Sequence, residues 1–152
     1  MATELYHSQC EILVQALVNK GVVTDARGTG NWPCHADEEP DGEGAPDDVV
    51  TVYDTQGKVD GSSQHDGYLW QHHGFQVRIR SNTKRKGWRK ADELLQTMSR
   101  SILLETITLD DRTYTLYCAG EVGPILSVGK EAPNSSRRIW TINGTLAIRA
   151  TN

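Results

Sequence analysis

The sequence predicts an α/β-layered domain of the α+β kind: a mixed, mostly antiparallel β-sheet packed by two main helices, in the order αββ(β)αβββ, with long loops. Three observations carry this expectation. Phe75, Val77 and Ile79 alternate with Gln76, Arg78 and Arg80, the period of two of a strand with one dry and one wet face. Trp88, Ala91, Leu95, Met98 and Ile102 then recur at spacings of three and four, which places them on one stripe of a helix from about Lys84 to Leu103. Beyond that helix the alternating runs LETITL (104–109) and RTYTLYC (112–118), joined at Asp110 and Asp111, read as a hairpin.

The remaining elements follow from local signals. Thr3 can cap a first helix reaching about Lys20, with Tyr6, Cys10, Leu13, Val14 and Leu17 as its apolar stripe and Gly21 as its stop. The segment 24–48 is rich in Gly, Pro, Asp and Glu and is expected to form a long exposed loop, anchored only by Trp32. Val49–Asp54 is β-branched and reads as a strand, and Thr55–Gly57 as a turn. A second polar stretch, 55–73, contains Tyr68, Leu69 and Trp70, either a short strand or an exposed apolar tip. Pro124 favours placing the short strand PILSVG at an edge, or beginning it there. The last run, RRIWTINGTLAIRAT, is a hairpin by its Asn143-Gly144 pair, or one long strand with a bulge at Gly144.

Composition bounds the class. The 152 residues, 37% hydrophobic and 24% charged, fit a single domain with one core. No apolar run approaches the roughly 20 residues of a membrane span, and no basic-then-apolar leader opens the chain, so a cytoplasmic site of synthesis without membrane contact is expected. Cys10, Cys34 and Cys118 are too few and too scattered for a disulfide framework and read as reduced thiols, Cys10 and Cys118 buried. The net charge of −4 is unevenly spread: residues 25–48 hold eight acids and one base, residues 78–90 seven bases and no acid. Such asymmetry suits self-assembly or a charged partner, or simply a solvated surface.

Three kinds of chemistry could draw on these residues. Cys34, His35, His65, His72 and His73 are metal-ligand types, but their spacing matches no zinc motif, and no metal or cofactor is expected. Arg78, Arg80, Lys84, Arg85, Lys86, Arg89 and Lys90 around Trp88 suggest phosphate contacts with a stacking ring, the alternative reading of a nucleic-acid-binding or nuclease domain; the acidic chain and a core position for Trp88 oppose it. No GxSxG elbow, P-loop, GxGxxG or HExxH is present, so no catalytic residue is expected.

The succession VVTVYDTQG, FQVRIRS, a helix ending LLQTMSRSIL, a TLYC strand, GPILSVG and RRIWTINGTLAIR resembles the bacteriophage minor capsid and tail terminator family of the lambda type, over about Leu5 to Ala150. The resemblance is one of order and local flavour rather than of a catalytic motif. It implies a hexameric ring in the virion that caps the tail tube and joins it to the head-tail connector, assembled in the host cytoplasm, with genomic DNA passing through. It also favours one long final strand over the hairpin. A neck or head-completion protein of similar fold is the nearest alternative. The acidic stretch 25–48 has no clear counterpart in the family. The expected interface residues are Trp32, Tyr68, Leu69 and Trp70 in the loops and Arg78, Arg80, Lys84, Arg85 and Lys86 in the basic segment.

Overall fold

The structure, a computed structural model, describes residues 5–42, 44–62 and 69–151, with side chains described except for those of residues 59–62 and 69–71. Two helices and eight strands follow in the order α1 (Gln9–Asn19), β1 (Thr24–Asp25), β2 (Pro33–Ala36), β3 (Val49–Ser62), β4 (Leu69–Ser81), α2 (Lys84–Arg100), β5 (Leu103–Leu109), β6 (Arg112–Gly120), β7 (Leu126–Lys130) and β8 (Arg138–Ala150). The strands form one mixed sheet, β1-β2-β3-β4-β8-β6-β5, with β7 added to the edge of β8. Pairing is parallel from β1 to β3 and antiparallel elsewhere.

Both helices cover the same face. The registers Val50↔Ile79, Val52↔Val77, Val77↔Ile142 and Ile79↔Trp140 put these side chains on one side of the sheet. There they join Ile12, Leu13, Leu17, Leu94 and Met98 in a single core. Removing one such aliphatic or aromatic side chain from water contributes about 1.5–3 kcal/mol, so this layer is the main source of cohesion. Helix α1 packs on both β2 and β5, five strand spacings apart in the sheet order. Laid flat, five spacings span roughly 24 Å, whereas a helix with side chains is about 10–12 Å across. The sheet therefore curls around α1, and the Lys20–Glu105 ion pair ties the helix end to β5.

Several local expectations are corrected. Helix α1 starts at Gln9, where Ser8 and Glu11 form a capping box, so it is shorter than the span beginning at Thr3; Thr3 lies outside the described residues. Tyr6 precedes the helix and is exposed. Gly21, at φ +76°, does end the helix. In α2 the buried residues are Gly87, Ala91, Leu94 and Met98; Ala91, Met98 and, just past the helix, Ile102 are buried as expected, while Gly87 and Leu94 take the places expected of Trp88 and Leu95. Trp88 is 50% exposed and Leu95 only partly buried. The reason is Trp140. A Cβ on Gly87 would lie 2.1 Å from the Trp140 ring, so the helix settles on the sheet through its glycine. Gly87→Ala is expected to destabilise the fold by about 1–3 kcal/mol through overpacking, although helix propensity alone would favour alanine by roughly 1 kcal/mol. A thermal melt of the variant checks the sign.

The loop expected at 24–48 contains β1 and β2, which extend the sheet in parallel from β3. The turn expected at Thr55–Gly57 is absent. Instead β3 runs on to Ser62 against β4, so most of the second expected loop is a β-hairpin arm. The final run is a single strand, as the family resemblance implies. Gly144 is not a bulge, because the β4–β8 register runs unbroken through Phe75↔Gly144. Its missing side chain leaves room for the Phe75 ring, 2.6 Å from where a Cβ would sit. Cys10 and Cys34 are buried, but Cys118 is exposed rather than buried. Burial pushes the Cys34 thiol up to about 12 and raises that of Cys10 as well.

Candidate functional site

The basic segment meets the acidic segment of its own chain. Arg78 and Arg80 alternate with Val77 and Ile79 along β4, so they point away from the helices to the back of the sheet. Residues 38–42 and 44–48 lie over this back face as a strap. The Arg80 side chain is fully buried; it donates to Pro46 O at 2.7 Å and to Glu131 Oε1 at 3.3 Å. Arg78 Nε lies 3.3 Å from Glu39 Oε1, an ion pair in which neither atom completes a hydrogen bond. Arg137 donates to Asp47 Oδ1 and to Ala45 O, each at 2.9 Å. Asp48 accepts from Ser81 Oγ and Lys86 Nζ, each at 2.6 Å. Burial holds the Glu39 carboxyl above the usual carboxylate range, against the pull of Arg78 and Arg80.

Of the expected interface residues, Arg78, Arg80 and Lys86 are thus engaged within the chain. Trp32 packs partly buried on the core, with Lys90 Nζ 5.5 Å from the centre of its ring. Lys84 and Arg85 face outward, and with Trp88, which was expected in the core, they line a shallow depression of about 420 Å³. Neither Lys84 nor Arg85 has an ion pair among the described residues. Leu69 and Trp70 lie on β4 in the arm, with their side chains outside the described residues; Tyr68 is wholly outside them.

The arm begins where the third strand stops. Pairing of β4 with β8 starts at His73, and β2 reaches only Val52. From Lys58↔His72 to Ser62↔Leu69, β3 and β4 pair with each other alone. At about 3.3 Å per residue this two-stranded portion extends roughly 15–20 Å beyond the body.

A cleft of about 550 Å³ opens between α1, β2 and the β5–β6 turn, its lining part apolar (Val14, Val18, Ala36, Leu109) and part charged, with acids such as Glu38 and Asp110 and one arginine, Arg27. At its end His7 Nδ1 lies 2.6 Å from the Tyr114 hydroxyl and Nε2 3.0 Å from Asp110 Oδ2. The His7 backbone N–H donates to the same hydroxyl at 3.1 Å. Tyr114 is only 1% exposed, so this chain of bonds ends in the core. It clamps the segment before α1 to the β5–β6 hairpin. No sequence motif pointed to it, because the partners lie more than 100 positions apart.

Among the described residues, the metal-ligand types named from sequence do not converge. Cys34 faces the helices and His35 the opposite side, since they pair with Val50 and Thr51 respectively. His65 lies outside the described residues. Cys10, Asp37 and Asp54 do approach to within 4.8 Å of one another. Their carboxylates already accept backbone N–H bonds, Asp54 from Cys10 at 2.9 Å and Asp37 from Asp54 at 3.3 Å. This is the work of a helix cap and a strand cap.

Among the described residues, no helix is long and apolar enough to cross a membrane. No protein-family model matches the chain, and no curated protein matches it. Among solved structures it is similar to a chain from the virion of a native gene transfer agent particle, at 13% identity and a TM-score of 0.41, covering 78% of each chain. Similarity at this level carries no functional argument.

Proposed function

We propose that the protein is a structural subunit of a tailed-phage-type virion, assembling into a ring, hexameric as in the family it resembles, that caps the tail tube and meets the head-tail connector. The succession of elements in the sequence supports this reading, and the β3–β4 arm is the observation that carries it. An isolated two-stranded hairpin is at best marginally stable in water, so strands continued past their own sheet gain most from a neighbour's surface. The arm leads to Tyr68, Leu69 and Trp70, the aromatic and aliphatic types that anchor protein interfaces. The tail tube protein and the connector protein are the partners in this reading, with genomic DNA in the lumen and neither a membrane nor a cofactor. The place of action is the tail or neck of the virion.

Hydrogen exchange tests the arm. Amides of residues 56–62 and 69–72 are expected to exchange rapidly in the free subunit and to gain protection on assembled tails. Equal protection in both states would sink the docking role. Binding to portal and connector complexes without binding to tail tubes would move the subunit to the neck.

A further inference from the structure

We infer that the outward face of the α2 first turn docks into the α1–β2 cleft of a second copy of this chain. The inference rests on the ring reading above and names the two patches such a ring would join. Head-to-tail contact needs two different, complementary surfaces on one chain. The first is a knob: half-exposed Trp88 flanked by Lys84 and Arg85. The first turn of α2 contains no acid, so its cations crowd the positive end of the helix dipole. Lys86 is relieved by Asp48. Among the described residues, Lys84 and Arg85 have no such carboxylate. The second surface is the cleft, whose lining combines apolar Val14, Val18 and Leu109 with four acids, Glu38 and Asp110 among them, against one arginine, Arg27, which pairs with Asp25. An aromatic ring between two cations is complementary in charge to a partly apolar cleft in which acids outnumber the one arginine.

The second copy is favoured over other partners because both halves of the match occur on the same molecule. They are built on different elements, and no ion pair joins them among the described residues. The cleft's volume of about 550 Å³ is ample for one indole ring with the stem of a basic side chain beside it. A tryptophan seated in a desolvated slot is the usual anchor of such a contact, with the charge pairs setting register and partner choice.

Sedimentation and native mass spectrometry of the full chain test this. The wild type is expected to self-associate, and Trp88→Glu to weaken that association at least about thirtyfold, the effect of losing one hot-spot residue. Lys84→Glu/Arg85→Glu and Glu38→Lys are each expected to be folded by thermal melt and to dissociate. An equal mixture of these two variants should regain wild-type assemblies, since each supplies the charge the other now needs. Oligomers that survive all three changes would overturn this contact and leave the ring reading standing. Assemblies that depend on Trp88 but never close or join a tail would keep the contact and overturn the ring. If the charge variants lose affinity for a short duplex DNA while assembly is unchanged, the knob faces nucleic acid and the inference fails. A wild type that stays monomeric at every concentration overturns it too.

Discussion

Replacing Arg80 with alanine is expected to lower the unfolding free energy by about 3–5 kcal/mol, the usual cost of leaving charges buried without their partner. The guanidinium is fully buried, and Glu39, Glu131 and the Pro46 carbonyl all converge on it. Without it the strap loses its central tether, and two carboxylates remain against the sheet. Adding Glu39→Gln and Glu131→Gln should recover much of the loss, because the pairs act as one network. The deficit should also depend on pH. Glu39 already has a folded-state pKa above its usual value, and Arg80 is one of the groups pulling it down. Removing Arg80 raises it further. A raised folded-state pKa contributes stability that is present at low pH and lost as pH rises through it. The variant should therefore be closest to the wild type in acid and furthest from it near neutrality. Urea midpoints across that range decide the matter.

Truncating Phe75 to alanine should cost a comparable amount, about 3–5 kcal/mol for a buried phenylalanine. Its ring is completely buried and lies across the gap left by Gly144 on β8. The two positions are direct cross-strand partners. Gly144→Ala alone should also destabilise the fold, but in the Phe75→Ala background the added methyl has room. A double-mutant cycle by denaturant unfolding should thus give coupling of the sign expected for a shared space. Strictly additive effects would mean that Gly144 has some role other than housing the ring.

These positions mark what was legible in the sequence. Alternation in residues 75–80 and the hairpin at Asp110 were readable because strand period and turn chemistry are local. Ala91, Met98 and Ile102 of the α2 stripe are legible, but its Trp88 position is not, because hydrophobic periodicity cannot register a buried glycine such as Gly87. It counted Trp88 in its place. The acidic segment looked too polar to order itself, and by itself it is. It is ordered by Arg78, Arg80 and Arg137, which are distant in the chain, and that pairing carries no periodic trace. The arm was hidden by Gly57, which looked like a turn residue. In the fold its missing side chain lets the backbone pass the His72 carbonyl, 2.2 Å from where a Cβ would lie. The cleft was not legible at all, since it exists only once the sheet curls and brings β2 toward the β5–β6 turn. Of the expected interface residues, charge and aromaticity alone could not separate Arg80, an internal tether, from Lys84 and Arg85, which face solvent.

A subunit that caps a tail tube must form a closed assembly that recognises a tail. Electron-microscopy class averages of the purified protein, alone and mixed with tail tubes, measure this most directly. Rings with a central opening, seated on tube ends when tubes are present, are the predicted result. Single compact particles that leave tube ends bare at every concentration would contradict it.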